Sequence, residues 1–168
     1  MANDTKSFDL AIDKIAEKFG MSAQRAMHTI SLDAFERVIR LTPVGDPDYW
    51  KGHPKGTPPG NASPPPGYVG GNARNNWWFS LNKDLAPAQA SKRKPNKSPN
   101  NQAYAQMTAG VLKSKLGDRL VFQNGVPYIL KLENGTGSPR QAPNGMVALA
   151  FQQLVTHFQK VMSKELSK

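Results

Sequence analysis

Fifteen of the 31 residues between Thr42 and Asn72 are proline or glycine, among them the run GTPPGNASPPPGYVGG. Proline lacks an N–H and glycine costs backbone entropy, so this stretch supports neither a helix nor a sheet interior. It is expected to be an extended, polyproline-like loop covering 44–72. One block of sequence precedes it and a longer one follows, and the two must find a common core across it. At 168 residues they fit a single domain spanning 1–168, which can bury roughly 70% of the surface the unfolded chain exposes. Tyr49, Trp50 and Tyr68 are the loop's large residues, and two readings of them stand side by side. They are exposed contacts for a partner, or they fold back onto the domain's own core.

The block before the loop reads as helix. Phe8, Ile12, Ile15 and Phe19 recur at spacings of four, three and four, with Asp9, Asp13, Lys14, Glu17 and Lys18 on the other faces. Gly20 interrupts the pattern, and Ser22 is a candidate N-cap for a second stretch with the stripe Met27, Ile30, Ala34, Val38 and Leu41. The two are one helix kinked at Gly20 or two helices in line. Thr42-Pro43 ends the run, because a residue before proline is driven out of the α region.

After the loop, ARNNWWFSLNK (73–83) is aromatic and β-prone and predicts a strand. Residues 84–100 form a second polar loop. NQAYAQMTAGVLKSKLG (101–117) predicts a helix closed by Gly117. DRLVFQ and VPYILKLE then predict a hairpin about Asn124-Gly125. A third loop covers 134–145. From about Asn144 to Leu166 the positions Val147, Phe151, Leu154, Phe158 and Val161 make a helical stripe. The expected fold is α+β: a small antiparallel sheet packed by a long N-terminal helix and a C-terminal helix, with long Pro/Gly-rich loops. Two or three short strands leave edges open to pairing.

The chemistry expected of an enzyme is hard to assemble from these residues. There is no cysteine, which removes disulfides and thiolate catalysis and suits a reducing cytoplasm. His28, His53 and His157 have no second ligand at a metal-binding spacing, and no phosphate-binding loop occurs. Asp9 and Asp13 share a helix face, as carboxylates on solvated helices commonly do, while Asp33, Glu36 and Glu133 are scattered. NAS (61–63), NKS (96–98) and NGT (134–136) match the glycosylation acceptor, but the N-terminus has no signal-peptide pattern. No stretch approaches the ~20 apolar residues of a membrane span. The chain therefore reads as soluble and unexported, with no catalytic residue, cofactor or metal expected and no membrane partner.

The net charge of +10 comes from 22 basic and 12 acidic residues. Such a balance suits an anionic partner, yet only Lys92, Arg93, Lys94 and Lys97 stand together. A basic loop beside tryptophans also suits single-stranded nucleic acid. Trp77 and Trp78 are adjacent on the expected strand, however, and point to opposite faces, which makes a poor stacking platform.

Several pieces occur in a definite order: FERVIRLTPV (35–44), an arginine and Asn-Trp (Arg74, Asn76, Trp77), VFQNGVPYILKLENG (121–135) and QAPNGMV (141–147). The ordered set resembles the small tail-completion, or head–tail joining, proteins of long-tailed bacteriophages, over roughly residues 30 to 160. In that family a helix ends at a TPVDTG corner, an Asn-Trp strand follows, then a PYA/I-x-x-LE-x-G segment, and QAP-x-GMV opens the last helix. Here Val44-Gly45-Asp46-Pro47 replaces the compact corner, and a Pro/Gly-rich insert follows it.

The resemblance implies a non-enzymatic virion protein of the neck: a homo-oligomeric ring, generally a hexamer, joining the head-completion connector to the tail terminator or tail tube. Head-to-tail contacts repeated by rotation close such rings, with interfaces of about 1,000 Å² or more. On this reading Trp77 anchors the core, with Trp78 beside it. Pro127 and Tyr128 fix a sheet edge, Glu133, Asn134 and Gly135 make a turn, and Pro143, Asn144 and Gly145 start the last helix with Asn144 as its cap. The loops 44–72 and 84–100 reach adjoining rings. Lys92, Arg93, Lys94 and Lys97 meet an acidic neighbour rather than DNA, which passes through the lumen without specific binding because tight binding would resist ejection. The nearest alternative is a tail terminator that caps the tube; a nucleic-acid-binding module is the alternative of a different class.

Overall fold

The computed structural model describes residues 13, 14, 17, 23–45, 68–136 and 141–166, with side chains to residue 157. The apolar residues at 8, 12, 15 and 19, the Ser22 cap, Tyr49, Trp50 and His53 lie outside them. The elements are helix α1 (Ala23–Leu41), a single helical turn α2 (Asn72–Asn75), strand β1 (Trp77–Leu81), helix α3 (Gln102–Lys113), strand β2 (Leu120–Asn124), a short helix α4 (Ile129–Glu133) and the long helix α5 (Val147–Leu166).

α1 forms where its stripe requires. Met27, Ile30, Ala34 and Val38 are buried along one face, and the outer face carries Asp33–Arg37 and Glu36–Arg40 pairs at 2.8 and 2.6 Å. Both pairs are acid-before-base at i,i+4, the favourable order on a helix. The helix stops at Thr42, whose hydroxyl donates to the Val38 carbonyl at 2.6 Å. α3 begins at Asn101, whose side chain accepts the Tyr104 N–H, and ends at Lys113. Gly117, with φ of +89°, serves the turn that follows and does not close the helix.

The fold is α+β, with helices packed on a two-stranded antiparallel sheet. Trp77 pairs with Asn124, Phe79 with Phe122 and Leu81 with Leu120. The expected hairpin at Asn124-Gly125 does not form, and β2 pairs with β1 instead. Asn124 turns its side chain to the Ala73 carbonyl at 2.8 Å and takes the Val126 N–H at 3.0 Å. Gly125 N–H goes to Ala90. Beyond it the apolar period is three: Val126 and Leu132 are buried with Ile129 packed beside them, while Tyr128 and Leu130 stand exposed. A strand would have put Val126, Tyr128, Leu130 and Leu132 on one face, so the helical turn buries what the strand could not.

Both flanks of the sheet are tied by glutamine side chains. The amide of Gln106 accepts from the Phe79 N–H and donates to the Phe79 carbonyl, each at 3.3 Å. That of Gln123 does the same for Leu85. A primary amide reproduces the donor–acceptor pair of a peptide group, so Gln106 stands in for a strand beside β1, while Gln123 of β2 ties the loop residue Leu85 to the sheet.

One core cluster joins Val38, Ile39, Trp77, Phe79, Met107, Val111, Leu132 and Met146, with Phe35 and Phe122 packed against it. Trp77, Phe122 and Phe35 stack in series, with centroids 5.0 and 4.6 Å apart. A second cluster gathers Ala26, Met27, Ile30, Ala34 and Leu154 between α1 and α5. On α5 Ala150 and Leu154 continue a buried row that starts at Met146, just before the helix; Phe151 of the expected stripe is 43% exposed. The stripe is wider than the contact α1 offers, and its outer edge faces solvent.

Candidate functional site

Three joints hold the elements together, and most of the residues singled out in the sequence sit in them. The first lies at the C-terminal end of α1. The last carbonyls of a helix lack intrahelical donors, and Arg74 supplies them. Its guanidinium donates to the carbonyls of Arg40 at 2.9 Å, Thr42 at 2.8 Å and Lys97 at 3.0 Å. Burial, and then the nearby charge of Arg40, lower its pKa. Trp77, 5% exposed, donates from Nε1 to the Thr42 hydroxyl at 2.8 Å, so the indole is both packed and satisfied.

The second joint explains the two asparagines before the tryptophans. Asn75 and Asn76 are buried. Asn75 donates to the Lys94 carbonyl at 2.8 Å and accepts the Ala103 N–H at 3.3 Å. Asn76 clasps the Arg93 backbone, accepting its N–H at 2.8 Å and donating to its carbonyl at 3.0 Å. The 84–100 segment is thereby pinned to the domain along its second half, and is not a free arm.

Arg93 turns inward from this clasp. Its guanidinium lies 3.9 Å from the ring centroid of Trp78 and donates to the carbonyls of Asn75 and Trp77 and to the Gln106 side chain. Burial lowers its pKa to about 10, still well above neutral, so it remains a cation held against an aromatic face. The expected cluster of four contact cations is thus corrected: Lys92, Lys94 and Lys97 are exposed, and Arg93 is a structural residue. Lys92 instead shares the lining of a cleft of about 760 Å³ with Lys83, Lys113, Trp78 and Gln106. Trp78 is on the face opposite Trp77, as expected, but is covered by Arg93.

The third joint is made by Glu133. Its carboxylate accepts the N–H groups of Met146, Val147 and Ala148 at 2.9, 2.9 and 3.0 Å. These are among the unpaired donors that begin α5, where a negative charge also meets the positive end of the helix dipole. Burial opposes ionisation of Glu133, but the three N–H groups outweigh it and the pKa falls below the usual carboxylate value. Asn144, expected to cap α5, is exposed; the cap comes from thirteen residues earlier.

The glycines make room for this contact. Gly145, at φ +74°, passes so close to Glu133 that a Cβ would strike its carbonyl oxygen and crowd its carboxylate. Gly135, at φ +70°, passes the Pro143 carbonyl in the same way. Pro127 and Tyr128 do not fix a sheet edge. They form the exposed turn leading into α4, where the Tyr128 hydroxyl accepts from Asn72 at 3.1 Å.

Tyr68 donates to the Gly45 carbonyl at 2.9 Å, and the Gly71 N–H donates to the Val44 carbonyl at 2.6 Å. The two ends of the Pro/Gly-rich loop are therefore fastened together, and Tyr68 folds back onto its own domain. His28 bonds the Ser114 carbonyl at 2.9 Å. Asp33, Glu36 and Glu133 are taken up by Arg37, Arg40 and the α5 cap. Among the described residues no group of three His, Asp or Glu side chains is placed to hold a metal ion, and no helix is long and apolar enough to cross a membrane. Exposed apolar side chains are instead a feature of the surface, with Leu112, Leu116, Leu130, Phe151 and Val155 all more than 40% exposed.

Comparisons with protein-family models, with curated proteins and with solved structures returned no match. The residues that sequence reasoning missed are Thr42 as a hydrogen-bond hub, Gln106 as a strand surrogate beside β1, Gln123 as the tie to Leu85, and Asn101 as the cap of α3. Only Asn101 had a local signal, being an Asn directly ahead of a helical pattern.

Proposed function

We propose that this chain is a structural virion protein of a tailed bacteriophage, a ring-forming tail-completion component that joins the head connector to the tail tube and acts by assembly, without catalysis. The observation that carries the reading is where the ordered sequence set falls. Thr42, Arg74 and Trp77 meet in one joint, and Glu133 and Gly145 meet in another. Pieces far apart in the sequence are thus the fasteners of one rigid block. A ring subunit requires such a block, together with apolar surface left over for neighbours, and Leu130 at 71% exposure and Val155 at 54% offer it. Lys92, Lys94 and Lys97 remain available to an acidic neighbouring ring.

The test is deletion of the gene in the phage that carries it. Accumulation of loose filled heads beside finished tails supports joining. Over-long tubes transfer the protein to tail termination. Normal particles, or absence of the polypeptide from purified virions, overturn the proposal.

A further inference from the structure

The cleft of about 760 Å³ beside Trp78 is lined by β1, α3 and the segment 83–92, and by no residue of β2. It therefore lies along the outer edge of β1, away from the paired strand. Gln106, Ala109, Gly110 and Lys113 recur at spacings of three and four, so one face of α3 forms that side. Ala109 and Gly110 leave the space open by their size, and a Cβ on Gly110 would strike the Phe79 ring.

Every ionised side chain lining this cleft among the described residues is a cation: Lys83, Lys92 and Lys113. All three are exposed, and among the described residues none is paired with a carboxylate. Asp84, next to Lys83 in the chain, is held by Arg119 at 3.1 Å. Arg93 adds a further positive charge, stacked on Trp78 and bonded to Gln106. Trp78, Leu81 and Leu85 give the same cleft apolar surface. Cations of one sign around a low-dielectric wall concentrate their field on an incoming anion.

The strand edge adds a second requirement. Phe79 directs its N–H and C=O to Gln106, and Trp77 its C=O to Arg93. Asn82 instead donates to the Arg119 carbonyl, on the β2 side. Edges alternate in an antiparallel pair, so Leu81 also turns its N–H and C=O away from β2. Gln106 closes the edge at Phe79; among the described residues nothing takes up the pair at Leu81.

We infer that this cleft binds an extended acidic segment of another protein. The main chain of the segment pairs with the Leu81 edge, its carboxylates meet Lys83, Lys92 and Lys113, and an apolar side chain packs on Trp78 and Leu85. A strand edge selects main-chain amides, which a nucleic acid lacks, and that favours a polypeptide over a phosphodiester chain. The inference concerns what one isolated chain binds, and it holds or fails separately from the assembly role.

The probe is a short fluorescent peptide alternating glutamate and valine, blocked at both ends and followed by anisotropy with the full-length chain. The salt is about 0.15 M, where exposed charges beyond about 8 Å are largely screened. Saturable binding is expected. Lys83→Gln/Lys92→Gln/Lys113→Gln should weaken it about tenfold or more. Lys97→Gln/Lys115→Gln/Lys131→Gln removes the same charge outside the cleft and should stay within about twofold. At least one of the two peptides N-methylated at alternate amides should bind about fivefold more weakly. Absence of saturable binding at millimolar peptide overturns the inference, and so do equal losses in the two triple variants. Full affinity of both methylated peptides removes the strand pairing and overturns it as stated. Tighter binding of an oligothymidylate, abolished by the cleft variant, assigns the site to nucleic acid instead.

Discussion

Replacing Glu133 isolates the joint between α4 and α5. The alanine variant removes three N–H···O bonds of 2.9 to 3.0 Å together with a charge at a helix start. Of the three donors, that of Ala148 belongs to an exposed residue that water can reach, while Met146 is fully buried. One N–H is then left unpaired and the others are solvated, a loss of about 2 kcal/mol. For a chain of this size the loss lowers the melting temperature by about 4 to 8 °C. Glutamine keeps one acceptor without the charge and is expected to cost about 1 kcal/mol.

The pH dependence has a definite sign. The carboxyl's folded pKa lies below its unfolded value, which is about 4.3. Its contribution is therefore complete above that value and disappears as pH falls through the folded pKa. Urea unfolding of the wild type and of Glu133→Gln should differ at pH 7 and converge toward pH 3. An alanine variant within about 0.5 kcal/mol of wild type, which is the range of ordinary surface changes, would refute the cap. A gap between wild type and Glu133→Gln that does not narrow as the pH falls below the unfolded value of about 4.3 would refute the role of the charge.

Trp77→Phe should cost about 1 to 3 kcal/mol in urea unfolding by leaving the buried Thr42 hydroxyl without its donor, and a double-mutant cycle with Thr42→Val should show coupling. Arg93→Ala should destabilise by about 2 kcal/mol through lost bonds and the bare Trp78 face, whereas Lys92→Ala, Lys94→Ala and Lys97→Ala should each stay within about 0.5 kcal/mol. On the proposed role, the triple lysine variant should fold normally yet yield less stable virions with unchanged DNA leakage, scored by plaque titre after heating. Leu130→Ser should leave the melting temperature within about 2 °C and, on the proposed role, reduce ring formation in sedimentation.

The helices were legible where periodicity was strong. The α1 stripe, buried from Met27 to Val38, was legible because spacings of three and four over the fifteen residues from Met27 to Leu41 have no competing reading. The segment after Asn124 failed for the opposite reason. Val126, Tyr128, Leu130 and Leu132 alternate like a strand, while Val126, Ile129 and Leu132 repeat like a helix, and seven residues cannot decide between them. What decided was remote: β2 had β1 as a partner, and Asn124 had the Ala73 carbonyl.

The candidate site divided along the same line. Alternation put one of the two tryptophans in the core, and the family resemblance chose Trp77, which is buried. The inward turn of Arg93 did not, because Lys92, Arg93 and Lys94 are indistinguishable until Asn76 grips the backbone between them. Glu133 was marked as a turn residue, and its bond to a helix thirteen residues on leaves no local trace.

The fastening at Val44, Gly45, Tyr68 and Gly71 has one more consequence. Because the chain departs from and returns to the domain at a single clasp, the 22 residues between Gly45 and Tyr68 amount to a cassette. Swapping them for a brief turn, or for a foreign peptide, leaves the distance between its two anchor points unchanged, and lengthening it is cheap because closure entropy grows only with the logarithm of length. Selection can thus rewrite that stretch while the body beneath it keeps its shape.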